Sequence, residues 1–166
     1  MTDIIGCVTV RMAVERDIAG IVSLVNAYAA EAIMLPQTEE LVWLSLANFI
    51  VAVDTDGTVI ACASLKEYSP SLAEVASVAV ARHAHGHGLG TTMVQAVERL
   101  AQKRGIEELF ALTLTPAFFE RAGYGLTDRA RYPEKIRRDC LRCPRRIRCG
   151  EQCVSRSLCD ALAVAA

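Results

Sequence analysis

The 166-residue sequence lacks a large net charge, a long apolar run and an internal repeat. Its 18 basic and 19 acidic side chains nearly cancel, so the overall charge does not indicate a nucleic-acid-binding protein. No apolar run is long enough to span a bilayer. The sequence also lacks a basic start followed by an apolar segment, the pattern of a secretory signal. We therefore expect a cytoplasmic protein that does not use a membrane.

Hydrophobic residues make up 52% of the chain, which favours a single folded core over disorder. Charge is uneven along the sequence. Residues 129–148 carry nine basic and two acidic side chains, whereas residues 1–128 carry eight basic and fifteen acidic ones. Five of the seven cysteines fall in the last 27 residues, beside this basic segment. In a reducing compartment such a segment indicates free thiols or a metal site more than disulfides.

Apolar periodicity predicts a mixed α/β chain. Alternation and β-branched residues predict strands over residues 7–14, 49–54, 58–68, 72–81, 109–114 and 124–127. Helical spacing predicts helices over residues 15–30, 88–104 and 117–122, and a further helix beginning at Thr38. Asp56-Gly57 indicates a hairpin turn between two of the strands.

The segment from Val78 to Gly90 combines an apolar strand, a turn with alternating histidines and glycines, and the start of a helix. Backbone N–H groups of such a turn, with a helix N-terminus behind them, can bind a diphosphate. Glycine would allow the phosphates to approach the backbone closely. The alternative is a flexible glycine turn with incidental histidines.

Three parts of the sequence resemble the GNAT acetyltransferase superfamily. Residues 74–80 with 85–90 are similar to its acetyl-CoA motif, and residues 118–124 are similar to its Phe-Tyr-x-x-x-Gly-Phe segment. Residues 109–113, together with 132–144, resemble the short single-domain proteins related to amino-acid N-acetyltransferases of the N-acetylglutamate synthase type.

The resemblance implies an α/β (α+β) fold with a central mixed, mostly antiparallel sheet. Helices would cover both faces, and the sheet would splay between its fourth and fifth strands to admit the pantetheine arm. Residues 1–138 would form the acetyltransferase domain. Residues 139–166 would form a cysteine-rich tail, and whether it packs on the domain stays open.

The implied function is acetyl-CoA-dependent N-acetylation of a small amine by direct attack on the thioester. The leading acceptor is the α-amino group of an amino acid such as glutamate. The resemblance places acetyl-CoA against these residues: Val78, Ala79, Val80, His85, Gly86, His87, Gly88, Leu89, Gly90, Thr91 and Phe119.

Other acceptors fit the same family, namely a protein N-terminus, a lysine or another metabolite. A rival class is a CoA- or nucleic-acid-binding module that uses the basic, cysteine-rich tail. That segment has no aromatic residue apart from Tyr132, which disfavours base stacking and makes nucleic acid the weaker alternative. Whether the protein forms a homodimer stays open.

Three positions depart from the superfamily pattern. His85 stands where arginine or glutamine is usual, so a permanently charged phosphate donor is absent there. Phe119 replaces a tyrosine that often serves as general acid. Ala76 occupies a place where several short relatives have an arginine that could face a substrate carboxylate.

Glu74 is a charged residue in an apolar strand, and the resemblance places such a carboxylate near the acceptor amine. We predict that Glu74 is the general base, directly or through water. The alternative is an outward-facing strand residue. The general acid is undetermined: Tyr68 and Tyr124 are the remaining phenols, and packing is the expected role of Tyr124.

An amino-acid carboxylate needs a cationic partner. Candidates are Arg11, Lys66, Lys135 and Arg137, and Lys135 ranks first because it lies in the family-like Pro-x-Lys stretch. Thr113 and Thr115 follow the predicted fifth strand and could donate hydrogen bonds near the thioester. We therefore predict that the substrate is bound by Lys66, Thr113, Thr115 and Lys135.

The cysteines suggest a possible zinc site in the tail. Cys140, Cys143, Cys149 and Cys153 include one Cys-x2-Cys pair and two later thiols, enough for tetrahedral coordination. The alternative is a set of reduced thiols, whose pKa values the neighbouring arginines would lower. His83, His85 and His87 could also bind metal, but the intervening glycines favour phosphate binding instead.

Overall fold

The computed structural model describes residues 3–5 and 7–159. The described residues form eight strands: β1 Asp3–Ile5, β2 Val8–Met12, β3 Phe49–Val53, β4 Val59–Glu67, β5 Leu72–Val80, β6 Glu108–Thr113, β7 Gly125–Thr127 and β8 Gln152–Ser157. They also form five α-helices: α1 Ile18–Ala29, α2 Glu39–Leu44, α3 Leu89–Lys103, α4 Pro116–Arg121 and α5 Pro133–Arg138. The chain divides into two units: unit 1 spans residues 1–66 and 75–100, and unit 2 spans residues 67–74 and 101–166.

Unit 1 contains an antiparallel series in the order β1-β2-β3-β4, followed by the later part of β5. Strand β3 is buried along its whole length. Helix α1 buries Ile18, Ile21 and Val25, whose i, i+3, i+7 spacing is the helical face expected from the sequence. The predicted hairpin turn is present, and Gly57 adopts a φ of +80° that favours glycine.

Unit 2 contains the order β5-β6-β8-β7. The first residues of β5 pair in parallel with β6, from Leu72 opposite Glu108 to Glu74 opposite Phe110. Strand β8 pairs antiparallel with both β6 and β7. The rings of Phe110 and Tyr132 stack in the core with centroids 4.1 Å apart.

The predicted mixed, mostly antiparallel sheet is confirmed. Its parallel pair is β5 with β6. These are the fourth and fifth strands expected from the sequence, and their numbers are one higher here because β1 was not expected. Strand β8 is an element that the sequence patterns did not indicate. It lies within the segment expected to be a cysteine-rich tail, and it forms an internal strand of unit 2.

Candidate active site

Glu74 is buried in unit 2, with 4% of its surface exposed. The Tyr68 hydroxyl donates to Oε2 of Glu74 at 2.9 Å, and the Lys135 ammonium donates to the same oxygen at 2.8 Å. The alternative of an outward-facing strand residue is therefore excluded. The role of Glu74 as a base stays a prediction.

A second carboxylate, Asp139, completes this arrangement. Lys135 Nζ lies 3.0 Å from Asp139 Oδ2, and the Tyr68 hydroxyl is also hydrogen-bonded to that oxygen. We call Tyr68, Glu74, Lys135 and Asp139 the Glu74 cluster. Sequence reasoning missed Asp139, although its i, i+4 spacing from Lys135 is the available signal, since such residues are neighbours on a helix.

Local structure positions the side chains of the Glu74 cluster. Pro133 begins α5 at a position where proline is well tolerated, and the short helix presents Lys135 one turn before Asp139. Tyr68 follows β4, where its N–H donates to the Leu72 carbonyl at 3.0 Å in the turn that leads into β5. The Arg138 guanidinium lies over the Tyr68 ring, 4.8 Å from its centroid.

Two protonation states of the cluster follow from its surroundings. Burial disfavours the charged form of Lys135, but Glu74 and Asp139 outweigh this effect and raise its pKa above the ordinary 10.5. Burial, followed by the same two carboxylates, raises the pKa of Tyr68 well above its ordinary value. Lys135 is therefore a cation and Tyr68 a neutral phenol across the physiological pH range.

The predicted phosphate-binding loop lies in unit 1, between β5 and α3. Gly86 and Gly88 adopt φ angles of +80° and +74°, in the left-handed region. A Cβ atom at either position would meet nothing within 4 Å, so the protein itself requires these glycines for their conformation rather than for space. The first N–H groups of α3 have no intrahelical partner and present the positive end of the helix dipole, which suits an anion.

His85 anchors this loop to the end of β5. Its Nε2 lies 2.9 Å from the Val80 carbonyl oxygen and 2.9 Å from the Tyr28 hydroxyl, which itself donates to Val80 at 2.5 Å. Since Nε2 already contacts the Val80 carbonyl and the Tyr28 hydroxyl, Nδ1 is the nitrogen that would form a hydrogen bond with a phosphate. His83 and His87 are exposed.

The strand before the loop contains a conformation that the sequence did not indicate. Ser77 has a φ of +53°, which interrupts the regular pleat of β5. Side chains of β4 support the interruption: Cys62 donates to the Ser77 carbonyl at 3.4 Å, and Ser64 donates to the Ala76 carbonyl at 3.2 Å. Val78, Ala79 and Val80 follow Ser77 in the same strand.

The remaining substrate and cofactor candidates occupy varied positions. Thr113 and Thr115 hydroxyls lie 3.2 Å apart at the end of β6, and Thr113 is buried. Lys66 is half-buried near the end of β4 and belongs to unit 1. Phe119 is buried, and its ring packs edge-on against Tyr124 with centroids 5.3 Å apart. Packing is thus one role of both rings, as expected for Tyr124.

Two of the candidate cations are engaged elsewhere. Arg11 forms a bidentate ion pair with the buried Asp17, with its shortest contact at 2.6 Å. Arg137 is exposed and lies 3.6 Å from Glu134 on α5. Lys135, the first-ranked candidate, contacts Glu74.

The described residues do not support the zinc prediction. Within residues 3–5 and 7–159, no three histidine, cysteine or acidic side chains are arranged to hold a metal ion, which applies equally to Cys140, Cys143, Cys149 and Cys153 and to the three histidines. Burial raises the pKa of the Cys140 thiol above its ordinary value and that of Cys153 to about 11. Arg129 acts to lower the pKa of both thiols, as expected of a neighbouring arginine, but burial outweighs this effect and the net shift is upward.

Comparison with known proteins identifies the family. The model of the acetyltransferase (GNAT) family matches residues 18–124. The chain belongs to the GNAT acetyltransferase family. This confirms the expected N-acetyltransferase class and the expected fold.

Relatives and solved structures of this GNAT enzyme point to one branch of the family. It is 36% identical over 149 residues to an uncharacterized N-acetyltransferase of Chlorobaculum tepidum, covering 90% of this chain and 96% of the relative. It is 32% identical over 130 residues to an amino-acid acetyltransferase of Mannheimia succiniciproducens, covering 77% of this chain. The match spans 29% of that longer relative.

Two solved structures are similar over nearly the whole chain. The N-acetylglutamate synthase of Neisseria gonorrhoeae, solved with coenzyme A and N-acetyl-glutamate, superposes with a TM-score of 0.82 at 26% identity, covering 93% of this chain and 36% of that one. A Mycobacterium tuberculosis protein solved in complex with CoA gives a TM-score of 0.79 at 25% identity, covering 90% of this chain and 98% of that one. Among the described residues of this GNAT enzyme, no helix combines the length and apolar character that crossing a membrane requires.

Proposed function

We propose that this GNAT enzyme transfers the acetyl group of acetyl-CoA to the α-amino group of an amino acid, with glutamate as the first acceptor to test. The similarity to amino-acid acetyltransferases and to N-acetylglutamate synthase supports this acceptor class. The observation that carries the proposal is a buried carboxylate, Glu74, on the same strand that leads into the glycine loop.

Each part has an assigned task. The N–H groups of the glycine loop and of the start of α3 bind the diphosphate of acetyl-CoA. The backbone of Val78 and Val80 pairs with the pantetheine arm as an added strand would. The amine attacks the thioester carbon, and Glu74 takes its proton. Tyr68 and Lys135 both donate to Oε2 of Glu74, so we assign Oε1 to the amine.

The direct experiment is a thiol-release assay with acetyl-CoA and a panel of amino acids, simple amines and peptides. We expect CoA release that depends on an amino acid and is fastest with L-glutamate or a close analogue. Release with peptides alone would replace this proposal by protein N-terminal or lysine acetylation. If none of the amines in the panel causes CoA release, the proposal is refuted.

Gly88→Val is expected to weaken acetyl-CoA binding about tenfold or more. A β-branched residue at a φ of +74° is strained by about 1–3 kcal/mol, so the loop leaves its anion-binding conformation. Isothermal titration calorimetry measures the change. Gly57→Val is the matched control, because Gly57 has a similar φ of +80° in a hairpin turn outside the loop. Equal affinity in Gly88→Val and wild type would refute the placement of the phosphates.

A further inference from the structure

Two side chains of β4 hold the interruption of β5 at Ser77. We propose that Cys62 and Ser64 are positioning residues for acetyl transfer, because they keep two successive N–H groups of β5 directed to the edge that binds the thioester oxygen. This inference rests on the proposed function, in which acetyl-CoA lies along β5. Both side chains are uncharged and buried within unit 1.

The carbonyls of Ala76 and Ser77 both accept hydrogen bonds from side chains of β4. Ser64 Oγ donates to the Ala76 carbonyl at 3.2 Å. Cys62 Sγ donates to the Ser77 carbonyl at 3.4 Å. In a regular strand, successive carbonyls point to opposite edges. The φ of +53° at Ser77 interrupts this alternation, so that both carbonyls face the same neighbouring strand.

The direction of these two carbonyls determines the direction of two N–H groups. The peptide bonds around Ser77 are trans, so the N–H of each peptide points opposite to its carbonyl. The N–H groups of Ser77 and Val78 belong to the two peptides whose carbonyls face β4. Both N–H groups therefore point to the edge of β5 that lies away from β4. Two successive N–H groups directed to one side form a concave binding site for a negatively charged oxygen.

Cys62 connects to β5 on both sides of Val78. Its thiol donates to the Ser77 carbonyl, and its sulfur is also hydrogen-bonded to the Ala79 N–H. Burial raises the pKa of the Cys62 thiol to about 12, although the Ala79 N–H acts to lower it. The thiol therefore keeps its proton near neutral pH, and its hydrogen bond to the Ser77 carbonyl is retained there.

The N–H pair acts on the charge that develops during transfer. The amine nitrogen bonds to the thioester carbon, and an electron pair of the C=O bond moves onto oxygen. As the C=O bond forms again, the C–S bond breaks with its electron pair on sulfur, and Glu74 takes the proton of the amine. Donors that are already aligned stabilise the oxygen most when it is negative. Their alignment therefore lowers the barrier more than it strengthens acetyl-CoA binding.

The first test follows the thioester carbonyl and needs no acceptor amine. Acetyl-CoA with an isotope label in the acetyl carbonyl is bound to the protein, and infrared difference spectra locate its C=O stretch. We expect a lower frequency in bound than in free acetyl-CoA, since hydrogen bonds to the oxygen weaken the C=O bond. The double variant Cys62→Ala/Ser64→Ala should return the frequency towards the free value. Cys62→Ser keeps a donor and should retain most of the shift.

The second test separates kcat from binding. The double variant should lower kcat about tenfold or more, as expected when oxyanion donors lose their alignment. The Kd of acetyl-CoA, measured by calorimetry, should change by less than about threefold. Cys62→Ser should recover most of the kcat that Cys62→Ala loses. A role in stability alone predicts no such recovery and no change in the C=O stretch.

Ile50→Val is the matched control, because it removes a methylene group from a buried position on β3, away from the Ser77 carbonyl. It should leave kcat and the C=O stretch at their wild-type values. If the double variant does not fold, Cys62→Ala and Ser64→Ala are measured singly, and each should move the stretch part of the way. A stretch that binding does not lower, or that none of these alanine variants changes, would overturn the proposal.

The two proposals can fail separately. A lowered C=O stretch that the double variant restores, with no acetyl transfer to any amine, would refute the proposed function and support the positioning role of Cys62 and Ser64. Acetyl transfer to an amino acid, with a C=O stretch that the double variant leaves unchanged, would refute the positioning role alone.

Discussion

Glu74→Gln lowers kcat/KM at neutral pH by about 10²–10⁴-fold, the usual contribution of a general base. The amide keeps the shape of the side chain and can still accept from Tyr68 and Lys135, but it cannot take the proton of the amine. Acetyl-CoA affinity should stay within about twofold, since we propose that the phosphates bind at backbone groups of the loop rather than at this side chain. Steady-state kinetics and calorimetry on the same preparation measure both quantities.

Glu67→Gln provides a matched control for this variant. Glu67 is an exposed glutamate at the end of β4 that pairs with Arg104 at 2.6 Å. Its replacement should leave kcat/KM close to that of wild type. Turnover of Glu74→Gln equal to wild type would exclude Glu74 as the base, and a parallel loss of acetyl-CoA affinity would indicate a binding role instead.

Lys135→Met destabilises the protein by about 3–5 kcal/mol, the typical loss when one partner of a buried ion pair is removed. The ammonium side chain is 15% exposed and the Glu74 carboxylate 5% exposed, so water cannot replace the missing cation. Urea denaturation at neutral pH measures the free energy of unfolding. Lys103→Met, at an exposed position near the end of α3, should change it by less than about 0.5 kcal/mol. A loss below about 1 kcal/mol in Lys135→Met would contradict a charged lysine between the buried Glu74 and the half-buried Asp139.

The pH dependence of this stabilisation has a defined sign. The pKa of Lys135 in the folded protein lies above the ordinary 10.5, so folding is favoured while the amine is protonated. The contribution is fully present below 10.5 and is lost as pH rises through the raised value. The difference in unfolding free energy between wild type and Lys135→Met should therefore shrink in strongly alkaline solution.

Local patterns predicted the elements whose own residues determine them. Helix α1 follows from the spacing of Ile18, Ile21 and Val25, and the hairpin at Gly57 follows from the Asp-Gly pair. The glycine loop was also visible, because Gly86 and Gly88 both need left-handed backbone conformations that other residues rarely adopt.

Features that depend on distant partners were not predictable in this way. Strand β8 is six residues long, and it is held by pairing with β6 and β7 rather than by a strong pattern of its own. His85 contacts Tyr28, which is 57 positions away in the sequence. The left-handed conformation of Ser77 has no signal in a serine, and its neighbouring carbonyls are held by side chains of β4.

In the candidate site, too, individual residues were predictable from the sequence but their contacts were not. Glu74 stood out as a charge in an apolar strand, and Lys135 as part of a family-like segment. Their contact joins residues 61 positions apart and depends on the fold. The cysteine spacing suggested zinc because a Cys-x2-Cys pair is a common ligand pattern, but the described residues do not bring three ligands together.

The most direct measurement follows a labelled acetyl group. The wild-type protein is incubated with acetyl-CoA labelled in its acetyl carbons and with L-glutamate, and the products are identified by mass spectrometry. We expect the label on the α-amino nitrogen, with one free CoA thiol for each acetyl group transferred. Labelled acetate with unmodified glutamate, or label found on peptides but on no free amino acid, would contradict the account.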